Sequence, residues 1–465
     1  MEPAMNWHDV LISMLPEHLL LVGILVLLGV EIASGRVRDG LLIAIVSVAA
    51  ATLAAWVLYG RGYVAAPFLD HYTVGPMAYI AKAAILAFTV PVLLVSRDDF
   101  ADNRFYALLL SSLYGACLVI SSNSFPTLFL GLEIMSLPVY VMVLLAFARP
   151  DSTEAALKYL VLGGAATATF LMGASLLYGW SGSLSISVFS DALGSSQSIA
   201  VAGSVLVVAA LLLKAAVVPF HGWAPDAYEG ASVPVTAYMA TVIKAGVLLA
   251  ALRLFAATPV LRPMADLLAA LALASMVWGN LAAIRQVSFR RMIAYSSIAH
   301  AGYLFYALLG EGPTRYQAVV YYLVVYGVMN LLAFAALPRS ADDAEGDRLD
   351  ALKGLFHRQP FAAVMIALAM LSLAGIPPLP GFVAKFLIFR NVLAAGYTTW
   401  AVFGLLASYL GIYFYLRVIQ YMFMSAEVPE SAKGQPRRLA LLASLVCLVP
   451  AVWLSVFPGW LIDKL

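Results

Sequence analysis

Charge is scarce in this 465-residue chain: Asp, Glu, Lys and Arg make up only 11% of it, where a soluble domain carries about 25%. That deficit excludes a large water-soluble domain. With 63% hydrophobic residues and a mean hydropathy of +0.93, the chain reads as an integral membrane protein. Cysteine is scarce too. Cys117 and Cys447 lie far apart in apolar segments, which excludes a disulfide framework or a thiolate metal site and makes them buried small hydrophobes. No GxGxxG, GxxxxGK[ST] or CxxC pattern occurs, so no nucleotide or iron–sulfur site is expected on this chain. The opening MEPAMNWHDVLISMLPEHLLLVGILVLLG lacks the basic segment of a secretory leader, so its apolar run reads as a retained first span. The net charge of +2 is spread over loops and span ends, which excludes a nucleic-acid footprint.

What is abundant is apolar runs of spanning length, and they contain Gly and Pro, so they are expected to be helices. They fall at 11–30, 41–59, 74–95, 105–121, 124–147, 157–178 and 199–218, then at 232–252, 264–284, 291–310, 316–337, 360–389, 397–422 and 438–459. The expectation is an all-α protein of about 14 transmembrane helices. Basic residues give it a direction. Connections after odd-numbered spans hold fifteen: Arg36, Arg38, Arg97, Arg104, Arg149, Arg285, Arg290, Arg291, Arg339, Arg348, Lys353, Arg358, Lys433, Arg437 and Arg438. The opposite face holds six: Arg61, Arg253, Arg262, Arg315, Arg390 and Lys464. Both termini are therefore expected on the non-cytoplasmic side and the mixed-charge loop 339–359 on the cytoplasmic side. A partial amphipathic helix from Leu349 to Phe356 is an alternative reading within that loop.

The remaining basic residues, Lys82, Lys158, Lys214, Lys244, Lys385 and Arg417, fall inside apolar runs. A lysine at bilayer depth costs about 2.5 kcal/mol or more, so each needs a reason. Snorkelling remains open for Lys158 and Arg417, near their span ends. It is much harder for Lys214, Lys244 and Lys385. Two of these three stand beside breaks: LLLKAAVVPFHGWAPDAYEG carries Pro219, Gly222 and Pro225, and LSLAGIPPLPGFVAKF carries Pro377, Pro378 and Pro380. An interrupted helix exposes carbonyls and amides, which are tolerated where they line a protected, wet cavity. Glu133, deep in LFLGLEIMSLPVYVMVLLAF, is an embedded carboxylate and the natural counter-charge for Lys214. His300 in RRMIAYSSIAHAGYLF stands close to Tyr295, Ser296, Ser297 and Tyr303, a set able to hold water and relay protons. Ammoniums repel metal ions, so no metal site is expected. Protons suit the set better.

The stretches GLEIMSLPVYVM, LLLKAAVVPFHGWAPDAYEGASVPVTAYMATVIKAGV, RRMIAYSSIAHAGY and LSLAGIPPLPGFVAKF resemble the antiporter-like membrane subunits of respiratory complex I, the proton-pumping NADH:quinone oxidoreductase. They are most similar to its subunit N branch, chain 2 in mitochondria, over roughly residues 70–425. The resemblance implies two inverted five-helix repeats with broken seventh and twelfth helices: 105–252 and 264–422, preceded by a three-helix segment at 1–98 and followed by a C-terminal helix at 438–465. It implies proton transfer through Glu133, Lys214, Lys244, His300 and Lys385, with Lys158 a modulator beside Glu133. Lys82, Arg417, Tyr295, Ser296 and Ser297 are further candidate modulators. It also implies partners: other membrane-arm subunits, antiporter-like chains among them, in a bacterial inner membrane or equivalent energy-transducing membrane. NADH, flavin, iron–sulfur clusters and quinone would then belong to partner subunits, with no cofactor on this chain. A subunit of a multi-subunit cation/proton antiporter and a purely structural arm subunit are the alternatives.

Overall fold

The computed structural model describes residues 7–34, 40–100, 103–145, 150–255, 262–338, 347–424 and 437–465. Of the residues in the basic census, Arg36, Arg38, Arg149, Arg339 and Lys433 lie outside the described residues, as does 339–346 of the long loop.

Hydrocarbon offers no partner to backbone N–H and C=O groups, so the apolar runs fold as helices that satisfy themselves. Among the described residues, 11 helices are long and apolar enough to cross a bilayer, or up to 12 if one bent pair is a single span. Three of the expected runs explain the difference from fourteen. The 199–218 run belongs to the bent pair Ser187–Leu193 and Ser198–Lys214, whose axes meet at 119°. The 291–310 run forms the more polar helix Phe289–Ala307, and 360–389 is divided into two helices of 15 residues each.

Contacts group the chain into two units, Met1–Lys214 with Val242–Leu261, and Ala215–Thr241 with Arg262–Leu465. The first begins with α1 (Trp7–Ser13), α2 (Leu15–Ser34) and α3 (Gly40–Gly60). An antiparallel hairpin follows, β1 (Ala65–Phe68) paired with β2 (Tyr72–Val74) in the register Ala65↔Val74 and Phe68↔Tyr72. The hairpin was not expected, since seven strand residues leave little room for a period-two signal. Then come α4 (Pro76–Ser96), α5 (Asn103–Ser121), α6 (Phe125–Leu145), α7 (Pro150–Ser181), α8 (Ser187–Leu193) and α9 (Ser198–Lys214). The small-residue tract 179–198 contains α8. Arg253 ties the hairpin to α5, donating to the Ile120 carbonyl at 3.2 Å and to Thr73 Oγ1 at 2.5 Å.

The second unit contains α10 (Trp223–Gly230) and α11 (Val233–Tyr238). The chain continues through a π turn, Met239–Ile243, into α12 (Lys244–Leu254), which returns to the first unit. Next are α13 (Arg262–Ile284), α14 (Phe289–Ala307) and α15 (Gly312–Ala336). The unit is completed by α16 (Leu355–Arg358), α17 (Pro360–Ala374), α18 (Pro380–Ala394), α19 (Thr398–Leu410), α20 (Ile412–Met424), α21 (Arg438–Val456) and α22 (Pro458–Ile462). Almost wholly buried, α15 is the core against which α17, α18 and α21 pack. In the long loop, a 3₁₀ turn at Leu349–Leu352 precedes α16, and Leu349, Leu352 and Leu355 are buried in protein. Asp347 secures this loop: its carboxylate accepts from Arg290 Nε at 2.8 Å and from the Ser288 hydroxyl at 2.9 Å. Burial pushes its carboxyl up from the ordinary range, against the opposing pull of Arg290.

Lipid supplies no hydrophobic drive for helix pairing, so close approach at small residues carries much of the packing. A Cβ added at Gly115 of α5 would lie 2.3 Å from the Met135 backbone nitrogen of α6. Gly115→Val should force the two helices apart at a cost of about 1–3 kcal/mol or more. Gly164→Ala, with nothing within 4 Å of the added carbon, should change stability by no more than about 1 kcal/mol. Thermal loss of the monodisperse species in detergent measures both; equal midpoints for the two variants would refute this packing argument.

Candidate functional site

Lys214 is the last residue of α9, and the helix stops there because Ala216 takes a left-handed φ of 59°, a conformation usually left to glycine. The chain then runs unwound through Pro219, after a cis Val218–Pro219 bond, to Gly222, which precedes α10. The Val218 N–H freed by the break donates to Ser275 Oγ at 2.7 Å. Pro225 sits in the first turn of α10, where a missing N–H is no loss. The ammonium of Lys214 therefore lies at a helix C-terminus, the negative end of its dipole.

Its partner comes from α6. Lys214 Nζ donates to Glu133 Oε1 at 3.0 Å, the pair anticipated from sequence. The same carboxylate oxygen accepts a short hydrogen bond from Thr167 of α7, whose hydroxyl also reaches the Gly163 carbonyl at 3.1 Å. Thr167 had no signal in the sequence. A threonine inside a helix ordinarily bonds back to its own preceding turn, and only the tertiary fold brings it to Glu133. Lys244 is buried at the start of α12, directly after the π turn; such turns are frequent at functional sites.

The second break separates α17 from α18. Gly375, with φ of 85°, ends α17; Pro377 and Pro378, joined by a cis bond, form the link, and Pro380 opens α18. Lys385 reaches back across the break: its Nζ donates to the Ala374 carbonyl at 2.9 Å and to Ser408 Oγ at 3.2 Å. It also lies 5.1 Å from the Tyr303 ring centroid. Gly375 makes that reach feasible, because a Cβ there would meet Lys385 Cδ at 2.9 Å. Lys214 thus ends the helix before its break, while Lys385 starts beyond its break and brings its ammonium back to the end of α17.

His300 of α14 is held from both sides. Its Nδ1 lies 2.6 Å from the Tyr322 hydroxyl and its Nε2 lies 3.0 Å from the Tyr415 hydroxyl. Tyr415 continues to Ser296 at 2.5 Å, while Ser297 and Tyr228 pair at 3.2 Å. Tyr295 is half-buried, with its backbone carbonyl facing Gly279. A cavity of about 10 Å³, lined by His300, Tyr322, Tyr326, Ser372 and Lys385, joins the histidine to the second break. That is about the space one water needs. The buried Tyr326 hydroxyl lies beside the side chains of Ser297 and Asn330. Tyr322, Tyr326 and Tyr415 escaped sequence reading because buried tyrosines are common in apolar helices, and α15 and α20 deliver them from afar.

The candidate modulators fall in three different settings. Lys158 pairs with Glu154 at 2.6 Å, one turn earlier on α7, with 43% of its side chain exposed. Its helix starts at Pro150, so the lysine is further from the helix end than the apolar run suggested. Arg417 donates to the Ile284 and Gln286 carbonyls at 2.5 and 2.8 Å and so closes the C-terminus of α13. Lys82 is fully buried against Glu17 at 2.6 Å. Among the described residues, no group of three His, Cys, Asp or Glu could hold a metal ion.

The family model described as NADH:quinone oxidoreductase/Mrp antiporter, TM matches residues 122–411, a range that contains both breaks, Glu133, Lys214, Lys244, His300 and Lys385. NADH-quinone oxidoreductase subunit N of Pelobacter propionicus is 41% identical, covering 91% of each chain. Subunit N 1 of Solibacter usitatus is 36% identical over 99% of this chain and 97% of its own. Among solved structures, a chain of respiratory complex I from Thermus thermophilus with bound aureothin superposes with a TM-score of 0.83 at 32% identity, covering 96% of this chain and 98% of that one. A chain of the Mrp complex from Dietzia superposes with a TM-score of 0.81 at 20% identity, covering 97% and 96%, and shares the fold. With such coverage end to end, the chain belongs to the NADH:quinone oxidoreductase/Mrp antiporter transmembrane family, in its NADH-quinone oxidoreductase subunit N branch.

Proposed function

We propose that this chain is a proton-translocating membrane-arm subunit of an NADH:quinone oxidoreductase in a bacterial energy-transducing membrane. The observation that carries the reading is the Glu133–Lys214 pair at a helix end inside the bilayer, in a chain 41% identical to a subunit N. Redox chemistry belongs to partner subunits, which hold the NADH site, flavin, iron–sulfur clusters and quinone; this chain contributes proton transfer and contacts with other membrane-arm and antiporter-like subunits. We read 105–252 and 264–422 as two inverted five-helix repeats, flanked by 1–98 and 438–465, giving fourteen crossings with termini on the non-cytoplasmic side. The fifteen-to-six basic bias supports that orientation.

In this reading Lys214 holds a proton while Glu133 balances its charge, and loosening of the pair releases it. Lys244 is the next acceptor within the first unit. In the second unit His300 and Lys385 exchange a proton through water in the cavity they share, with Tyr322 and Tyr415 orienting the imidazole. Thr167 positions Glu133. The antiporter alternative has the joint family model and the shared fold in its favour but no antiporter relative at the identity of the subunit N chains, and the subunit composition of the purified native assembly separates the two: an NADH-oxidising complex supports the first reading, antiporter-like chains alone the second.

Lys214→Ala in the assembled complex should lower proton pumping by about tenfold or more, since a positioned proton-transfer group commonly contributes at least that much. Lys214→Arg should not restore it, because a guanidinium does not release its proton. Glu133→Gln should impair the same step. Sealed vesicles driven with NADH and quinone report this as pH change beside electron flow, and normal proton-to-electron ratios in both Lys214 variants would end the claim.

Gly375→Ala retains every titratable group but places a methyl against the lysine stem. It should reproduce the pumping loss of Lys385→Ala in the same vesicles; pumping at the parental rate would show that the lysine need not cross the break.

For topology, cysteines replacing Lys353 and Lys464 should react with an impermeant maleimide from opposite sides, with Cys117 and Cys447 silent because they are buried. Labelling of both from one side would overturn the orientation.

A further inference from the structure

Glu17, Tyr72 and Lys82 meet at the hairpin end of the first unit, and the route proposed above uses none of them. Lys82 Nζ donates to Glu17 Oε1 at 2.6 Å and to the Tyr72 hydroxyl at 2.8 Å, and that hydroxyl donates to the same Oε1 at 2.8 Å. Both charged side chains are fully buried. Around them lies an apolar cluster: Val10, Met14, Leu58 and Val74, with Tyr72 and Tyr79. Tyr79 of α4 and Tyr114 and Cys117 of α5 lie within electrostatic reach of the carboxylate.

Two oxygens in this corner are buried without a protein partner, Glu17 Oε2 and Ser13 Oγ, and the Ser121 hydroxyl is buried beside that of Tyr72. Ser13 stands one turn before Glu17, and its carbonyl is already taken by the Tyr79 hydroxyl at 3.1 Å. Ser121 is brought beside Tyr72 by the neighbouring Tyr72–Ser122 bridge. Lys82 spends two of its three N–H groups on Glu17 and Tyr72. An ion pair serving only as a brace needs no such surplus of donors and acceptors. Polar atoms grouped this way are where internal water is found.

We propose that Glu17, Tyr72 and Lys82 form a proton-holding site of their own, hydrated at Glu17 Oε2. A hydronium gives its proton to Oε2: one O–H bond breaks on the hydronium, one forms on the carboxyl, and a neutral water stays behind. Lys82 remains an ammonium throughout and keeps its bond to Tyr72, whose hydroxyl fixes Oε1; release of the proton reverses the step. The purpose of the site rests on the proton-translocation reading. Its existence does not.

The test uses the assembled complex. Infrared difference spectra between two pH values should contain an exchangeable carboxyl carbonyl band that is present in the parent and in Lys214→Ala and absent in Glu17→Gln. A high-resolution map of the parent complex should hold a water within hydrogen-bond distance of Glu17 Oε2. A band unchanged in Glu17→Gln, or no water at Oε2, overturns the proposal while leaving the Lys214 result standing. Normal pumping in Lys214→Ala, with the band still lost in Glu17→Gln, overturns the route reading and leaves this site in place. If Glu17→Gln does not assemble, Lys82→Met replaces it, and a band that does not move on loss of the ammonium counts against the proposal.

Discussion

The requirement that every backbone polar group find a partner in hydrocarbon governs this molecule. Two helices break that rule on purpose, after Lys214 and after Ala374, and the freed groups are met locally. The Val218 N–H goes to Ser275 and the Ala374 carbonyl to the Lys385 ammonium. A lysine is the residue that a helix C-terminus rewards. The breaks therefore lower the cost of burying a cation, and the cation lowers the cost of the breaks. At both breaks the two features offset one another.

The two lysines are nevertheless balanced differently. Lys214 faces a carboxylate, so the pair carries no net charge when both groups are ionised. Lys385 faces dipoles only among its described contacts, a carbonyl, a hydroxyl and an aromatic face, so gaining or losing its proton changes the charge of its surroundings by a full unit. His300 is close enough to share a cavity with it. Tyrosine hydroxyls on both ring nitrogens can donate or accept, so the imidazole stays hydrogen-bonded in either tautomer and as imidazolium. A group held equally well in each protonation state needs little rearrangement to pass a proton on.

Much of this was legible in the sequence, because a charge inside an apolar run is expensive enough to stand out. Glu133, Lys214, Lys385 and both breaks declare themselves in that way; charge balance named Lys214 as the candidate partner of Glu133, and the fold supplies the contact. Thr167, Tyr322, Tyr326 and Tyr415 did not, since hydroxyls cost little on a helix and acquire meaning only from residues dozens of positions away. Arg417 was ambiguous for the opposite reason. A long basic side chain near a helix end can snorkel or cap, and only the Ile284 and Gln286 carbonyls decide for the cap. The hairpin at 65–74 was too short to show a period.

Lys82 shows where the cost argument stops. Desolvating an ion pair is seldom repaid by its own attraction, and an apolar pair of like volume often packs as well, so burial alone does not explain why the pair is there. Lys214 and Lys385 each stand at a break, where the unwound chain brings further polar backbone groups beside the cation. Lys82 stands on α4, which is unbroken apart from an internal proline nine residues further on, and its partner Glu17 is three residues into α2. The surplus polar atoms around that pair take the place of a break: they supply the polar, protected corner that an intact helix does not. A helix break and a buried polar corner are thus two ways of meeting one need, polar partners for a charge that lipid would not solvate.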